Sequence, residues 1–215
     1  MAESPKTNIK IALVGDCGVG KSSIALRYTK NQFLNNYIST GGAAYSNKII
    51  EKNGETLQLD IWDTAGQEKY RSVGKNFYKD AFIILLVYDI TRKETFDNLK
   101  DIWYVELTQN GEEKPLLAVV GNKIDQYEKD NTVNEEDARK FADEIKGIFQ
   151  LVSAKTGDNI ENLFNILLDT FFELKFPEKV KDNIGRRKSQ KLIDNNNHNN
   201  TNNNTNNNHK KKKCC

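Results

Sequence analysis

Gly15-Asp16-Cys17-Gly18-Val19-Gly20-Lys21-Ser22 has the residue types and spacing of a polyphosphate grip, G-x-x-x-x-G-K-S. Glycines permit the tight turns that aim successive backbone N–H groups at phosphate oxygens, and a following helix adds the positive end of its dipole. Lys21 reaches the β- and γ-phosphates. The Ser22 hydroxyl is a hard oxygen suited to Mg²⁺, and Ser23 extends the grip into the helix. An accidental Gly-rich turn is the bland alternative. Its context speaks against that: the alternating apolar stretch Ile9 to Val14 precedes the loop, and helix-compatible Ser22 to Tyr28 follows it.

Two further clusters suit a Mg²⁺-triphosphate and a base. In Trp62-Asp63-Thr64-Ala65-Gly66-Gln67-Glu68, Asp63 offers an acidic contact to the metal and Gly66 a close backbone N–H for the γ-phosphate. Gln67 can orient a water in line with the leaving group. In Gly121-Asn122-Lys123-Ile124-Asp125, the carboxylate of Asp125 can accept the parallel N1–H and N2–H donors of guanine. Adenine presents a lone pair at N1 and no C2 amine, so a site of this kind discriminates by about 10⁴-fold or more. Lys123 lays its stem along the base, and Asn122 ties its loop to the phosphate loop. In Ser153-Ala154-Lys155, the Ala154 N–H can donate to guanine O6. Each motif alone could be ordinary loop; all of them in order, each after a predicted strand, point to GTP and GDP with Mg²⁺.

These loops need a scaffold that delivers them to one place. Asn53-Gly54 between Ala43–Lys52 and Glu55–Trp62 signals an antiparallel hairpin, in which Leu57, Leu59 and Ile61 alternate with Gln58 and Asp60. The apolar runs Ala81–Tyr88 and Leu116–Val120, with Phe149–Val152, have the pattern of buried parallel strands. Thr91-x-x-Glu94 and Thr132-x-x-Glu135 read as capping boxes opening helices. A helical stripe runs from Ile160 to Leu174. The expectation is one α/β doubly wound domain over residues 1–178, a mostly parallel six-stranded sheet with one antiparallel hairpin, with ligands at the carboxyl ends of its strands.

Composition narrows the chemistry. The 215 residues suit one core. Met1 to Lys10 lacks a signal-peptide apolar region, and no apolar run is long enough to span a bilayer. The two histidines, His198 and His209, lie in the tail, which excludes a His-based triad or zinc hydrolase in the body. Of the three cysteines, one is in the phosphate loop and two end the chain, so no disulfide framework is expected. From Gly185 onward eight Lys/Arg face one Asp, which leaves an acidic body and argues against nucleic-acid binding by it. Eleven of the fourteen residues Asn195–Asn208 are Asn, so residues 179–215 are expected to be a disordered tether.

Taken together, these residues resemble the small GTPase superfamily, and Trp62 to Glu68 with the terminal Cys214-Cys215 resembles its Rab branch. The likeness covers about Asn8 to Phe176. It implies that Phe33 stacks on guanine, that Tyr37 closes over the phosphates, and that Thr40 binds Mg²⁺ through its hydroxyl and the γ-phosphate through its N–H. Switch segments then span about Phe33–Ala43 and Ala65–Asp80, and Tyr45, Trp62 and Phe77 form an effector-facing aromatic trio. It further implies a monomer that hydrolyses GTP slowly alone, with Gln67, Lys21 and Thr40 as catalytic residues. Such a protein needs an exchange factor, a GTPase-activating protein supplying an arginine, GTP-dependent effectors, and prenylation and membrane-extraction chaperones. Neither Arg27 nor Arg71 is marked as an internal substitute for that arginine. Lys210–Lys213 before Cys214 and Cys215 resembles a doubly geranylgeranylated end, placing the protein on the cytoplasmic face of intracellular membranes with a cytosolic pool.

Two positions depart from the pattern: Gly41 stands where isoleucine is usual, and Cys17 occupies a place near the γ-phosphate where some relatives require glycine. The string Gly42-Ala43-Ala44-Tyr45 resembles the early-endosomal Rab branch. Two other readings are a GTP-holding scaffold with little hydrolysis, motivated by Cys17 and Gly41, and an unrelated P-loop nucleotide kinase, which Asp125 and Ala154 count against.

Overall fold

A computed structural model describes residues 7–35, 43–64, 78–109, 114–127 and 132–177. The chain divides into two units, Met1–Phe171 and Phe172–Cys215. Its elements are β1 (Thr7–Val14), α1 (Lys21–Lys30), β2 (Ala43–Lys52), β3 (Glu55–Thr64), β4 (Ile83–Asp89), α2 (Lys93–Asn98), a π-helical segment (Leu99–Tyr104), α3 (Val105–Gln109), β5 (Leu116–Asn122), a 3₁₀ turn (Ile124–Gln126), α4 (Glu135–Glu144), β6 (Ile148–Val152) and α5 (Ile160–Lys175).

The strands form one sheet in the order β2-β3-β1-β4-β5-β6. Only β2 and β3 pair antiparallel; the other neighbours are parallel. The mostly parallel six-stranded sheet with one hairpin is therefore as the sequence leads one to expect. At the hairpin, Asn53 (φ 54°) and Gly54 (φ 78°) both take the left-handed conformation that a two-residue turn demands. Because β1 lies between β3 and β4, the chain leaves it first toward one edge and then toward the other. The loops at the carboxyl end of β1 sit at that reversal, the usual place for a ligand crevice in such sheets.

All seven residues of β4 are buried, as strands covered on both faces must be. Ala12, Val14, Ile84, Leu86 and Tyr88 meet Phe96, Leu99 and Trp103 of the α2 and π segments and Ala138, Phe141 and Ala142 of α4. Alternation sends Ile11, Leu13, Ile83 and Leu85 to the opposite face. There, α1 and α5 are joined by Tyr28 and Phe164, stacked with ring centroids 3.5 Å apart and planes 4° from parallel.

Two helix starts differ from the sequence reading. α2 begins at Lys93 with Arg92 as its cap residue and no side-chain cap. The Thr91 hydroxyl instead donates to Asp89 Oδ1 at 2.7 Å, a local Asx-type contact that outcompetes the expected capping box. At α4 the cap is Asn134, not Thr132, and its Oδ1 accepts from Glu136 N–H at 2.8 Å. Asn is a stronger cap than Thr and stands one residue before the first helical turn.

Phe164 is fully buried. Phe164→Ala removes the stacked ring and leaves a cavity, and is expected to lower unfolding free energy by about 3–5 kcal/mol in urea denaturation.

Candidate functional site

The phosphate loop connects β1 to α1, and two of its glycines are needed for steric reasons. Gly15 has φ 141°, and a Cβ there would run into the carbonyl oxygen of Val87 on the neighbouring strand; Gly20 has φ 97°, and a Cβ there would strike the Asn122 side-chain amide. Both glycines are thus required by the way the loop packs against β4 and the Asn122 side chain. Gly20 caps α1 in the left-handed conformation with no side-chain cap, so the first N–H groups of the helix remain available to an anion.

Lys21 is buried, and its Nζ donates to the backbone carbonyls of Gly15 and Asp16, each at 2.8 Å. Burial pulls its pKa down to about 8, against the opposing influence of Asp63, Cys17 and Asp16. Ser22 Oγ donates to Asp63 Oδ2 at 2.5 Å, bringing a hydroxyl from α1 and a carboxylate from the end of β3 together. These hard oxygens suit Mg²⁺. Among the described residues no group of three or more His, Cys, Asp or Glu could hold a metal by itself.

The base-side loops leave the ends of β5 and β6. Asn122 Nδ2 donates to the Val19 carbonyl at 2.8 Å, and Asn122 Oδ1 accepts the Ala154 N–H at 3.1 Å. Lys123, in the left-handed conformation (φ 75°), donates to Asp89 Oδ2 at 2.6 Å. Burial raises the pKa of the Asp89 carboxyl, but hydrogen bonds from Lys123 and Thr91 outweigh it and hold the group below its ordinary value. Asp125 Oδ1 accepts from Ser153 Oγ at 2.6 Å, while its Oδ2 lies 3.7 Å from Lys155 Nζ. Ser153 thus orients the carboxylate, and the Ala154 N–H points at Asn122 in this arrangement.

Lys21, Ser22, Asp63, Asn122, Lys123, Asp125, Ser153, Ala154 and Lys155 are therefore interconnected. Phe33 follows α1 and is half-buried. Tyr45 and Trp62 touch edge to face at 5.3 Å, and the Tyr45 hydroxyl donates to Asp60 Oδ1 at 2.6 Å. Tyr37, Thr40, Gly41, Gly66, Gln67, Phe77, Cys214 and Cys215 lie outside the described residues.

Sequence reasoning missed two members of this constellation. Asp89 is nearly fully buried and holds Lys123, Thr91 and Arg92 together. Its only trace in the sequence is an acid closing an apolar run. Arg27 donates through Nε to the Ala154 carbonyl at 2.9 Å and through Nη2 to the Lys155 carbonyl at 2.6 Å. It supports the base loop from α1, over more than a hundred residues of chain, and no local pattern announces it.

The chain's residues 10–173 match the model of the Ras family. It is 41% identical over 159 residues to the Ras-related protein Rab-26 of Mus musculus, covering 74% of this chain and 60% of that protein. It is 40% identical over 155 residues to the Ras-related protein RABD2a of Arabidopsis thaliana, covering 72% and 75%. The GTP-binding protein YPTM2 of Zea mays is 39% identical over 155 residues, covering 72% and 75%. The chain thus spans less than two thirds of the length of the mouse relative it matches.

A polyphosphate brought against Lys21 favours its charged form and raises its pKa from about 8. Below that value the lysine is charged before and after binding; above it, binding must recharge it. Calorimetry of GDP–Mg²⁺ binding in buffers of different ionisation enthalpy should show proton uptake at about pH 8.5 that fades toward about pH 6.5. Lys21→Arg, which cannot deprotonate, should abolish that uptake.

Proposed function

This chain belongs to the Ras family as a Rab-type small GTPase, and on that premise we propose that it is a GTP/GDP switch that hydrolyses GTP and recruits effectors to intracellular membranes in vesicle trafficking. The observation that carries the reading is the joining of three loops at one end of the sheet. Lys21 and the Ser22–Asp63 pair lie on the phosphate side, and Asn122 links them through Val19 and Ala154 to the Asp125 carboxylate on the base side.

In the proposed reaction the phosphate loop N–H groups and Lys21 hold the β- and γ-phosphates, and Ser22 with Asp63 and Thr40 would hold Mg²⁺. When bound there, the ion supplies charge neutralisation on the phosphate oxygens. Gln67 orients the attacking water and Gly66 offers its N–H to the γ-phosphate, while Tyr37 and Phe33 close over phosphates and base. Asp125, oriented by Ser153, reads the guanine edge, and Arg27 fixes the backbone of Ala154 and Lys155. Arg27 is committed to those carbonyls, and in this reading a GTPase-activating protein supplies the arginine that accelerates hydrolysis. An exchange factor opens the site, and residues 33–43 and 65–80 change order with the nucleotide to select effectors, with exposed Tyr45 and neighbouring Trp62 on the presented surface.

Residues 179–215 serve in this reading as a tether that prenylation and membrane-extraction chaperones handle, with Cys214 and Cys215 lipidated and Lys210–Lys213 drawn to anionic lipid. Among the described residues no helix is long and apolar enough to cross a membrane. The Gly42-to-Tyr45 resemblance makes endosomes the membrane to examine first.

The nucleotide that co-purifies with the full-length protein tests the central claim: guanine nucleotide is expected, and ATP or no nucleotide would overturn it. Asp125→Ala should reduce discrimination of GDP over ADP from at least about 10⁴-fold to about 10²-fold. Gln67→Leu should slow single-turnover hydrolysis about 10²-fold without loss of GTP binding. Replacing Cys214 and Cys215 by Ser should move the protein wholly to the soluble fraction of cells, and undiminished membrane association would refute lipid anchoring.

A further inference from the structure

Asp16 is an acid inside a loop that serves anions, and a carboxylate held close to a polyphosphate repels it. The structure turns the side chain onto a helix instead. Asp16 Oδ2 accepts from Asn98 Nδ2 at 2.7 Å, and Asp16 Oδ1 accepts from Trp103 Nε1 at 2.8 Å. The next residue is held from the same stretch of chain, for the Cys17 carbonyl accepts from Arg92 Nη2 at 3.1 Å. Asp16's own carbonyl is one of the two that hold the Lys21 ammonium.

The two donors reach one carboxylate because of the π segment. In a regular α-helix, residues five apart point about 140° away from each other around the axis. A π-turn bonds i to i+5, which brings such residues back toward one face. Asn98 immediately precedes the π segment Leu99–Tyr104, and Trp103 lies within it, five residues on. Trp103 is buried in the core between the sheet and α4, so its indole is a fixed post and not a mobile surface group.

We propose that Asp16 is a positioning residue: the π-turn presents Asn98 and Trp103 to its carboxylate, and this latch, seconded by Arg92 on Cys17, holds the phosphate loop in the shape that retains the nucleotide. The negative charge is tolerated near phosphates because two N–H donors face it away and disperse it. A consequence is that the helix over residues 93–109 is mechanically linked to the nucleotide grip, so that whatever shifts this helix shifts the loop.

The inference rests on the guanine-nucleotide reading, and the experiment separates the two. Full-length protein is loaded with fluorescent GDP and its release is timed. Were the Asp16 carboxylate only a like charge beside the phosphates, Asp16→Ala would slow release; the latch requires the opposite, about 10–100-fold faster release, because alanine leaves Asn98 and Trp103 no acceptor. Trp103→Phe keeps the ring and removes the donor, and should release about tenfold faster. The double variant should be no faster than Asp16→Ala alone, because both break the same contact. Asn98→Ala, at a partly exposed position, decides the matter if either of the others fails to fold. In ¹⁵N spectra the indole N–H resonance of Trp103 should move in Asp16→Ala while that of Trp62 stays. Release that is unchanged or slower, additive rates, or an unmoved Trp103 indole would overturn the latch. Failure of the unaltered protein to take up GDP would instead overturn the guanine reading, and the indole measurement would still decide the latch.

Discussion

The site depends on one buried carboxamide. Asn122 uses its N–H to hold the Val19 carbonyl and its oxygen to hold the Ala154 N–H, so a single side chain spans the loops that follow β1, β5 and β6. It is nearly fully buried, and so are Val19 and Ala154, whose backbone groups it satisfies. Losing it would leave a donor and an acceptor in the interior, each costing about 1–3 kcal/mol. The demand is also steric: Gly20 must lack a side chain because the Asn122 amide occupies the place where a Cβ would be. In the proposed site, phosphate grip and base recognition therefore cannot be set independently. A displacement of the β5 end would be felt in the phosphate loop through Val19 and in the base loop through Ala154.

Around that carboxamide, acids organise the cations. Asp89 closes β4 and gathers Lys123, Arg92 and the Thr91 hydroxyl, and Arg92 passes the constraint on to the Cys17 carbonyl. Burying a carboxylate is costly unless every lone pair finds a donor, and here its donors outweigh burial in setting its proton affinity. What burial gives in return is position. Lys123 is held in a left-handed backbone conformation that an ordinary residue adopts reluctantly, and its bond to Asp89 helps to keep it there. The same logic applies at Asp125, where Ser153 fixes one oxygen and leaves the carboxylate's direction defined before any base arrives.

How much of this was legible in the sequence follows from range. The Asn53-Gly54 hairpin, the alternation of Leu57, Leu59 and Ile61 and the stripe of α5 were readable because each is set by residues within a turn or two of one another. The motifs of the proposed site stand out in the sequence for the same reason: each loop carries its residues in consecutive positions. The α2 and α4 caps were misplaced by one or two residues, because Thr91 had a nearer acceptor in Asp89 and Asn134 a better position than Thr132. The π segment was invisible, since Phe96, Leu99 and Trp103 fit a helical stripe whichever way the turn is wound. Arg27, Asp89 and the Asp16–Trp103 contact were illegible because their meaning lies in residues far away in sequence, a property of the assembled fold and not of any window along the chain.

Lys21 shows why such long-range fixing matters to a reversible grip. Its ammonium is buried and held by two loop carbonyls, which fixes its direction and leaves a third N–H for an arriving phosphate. A lysine with strong local partners binds anions less tightly than a bare one, but it is already aimed, and little conformational entropy is lost when the ligand arrives. For an enzyme that only needs turnover this trade would be neutral. For the switch proposed above it is useful, because each nucleotide state must be both well defined and escapable. The loop's rigidity then has to come from outside the ligand contacts, which is the part played by Asn122 through Val19, by Arg92 through Cys17, and by Asn98 and Trp103 through Asp16.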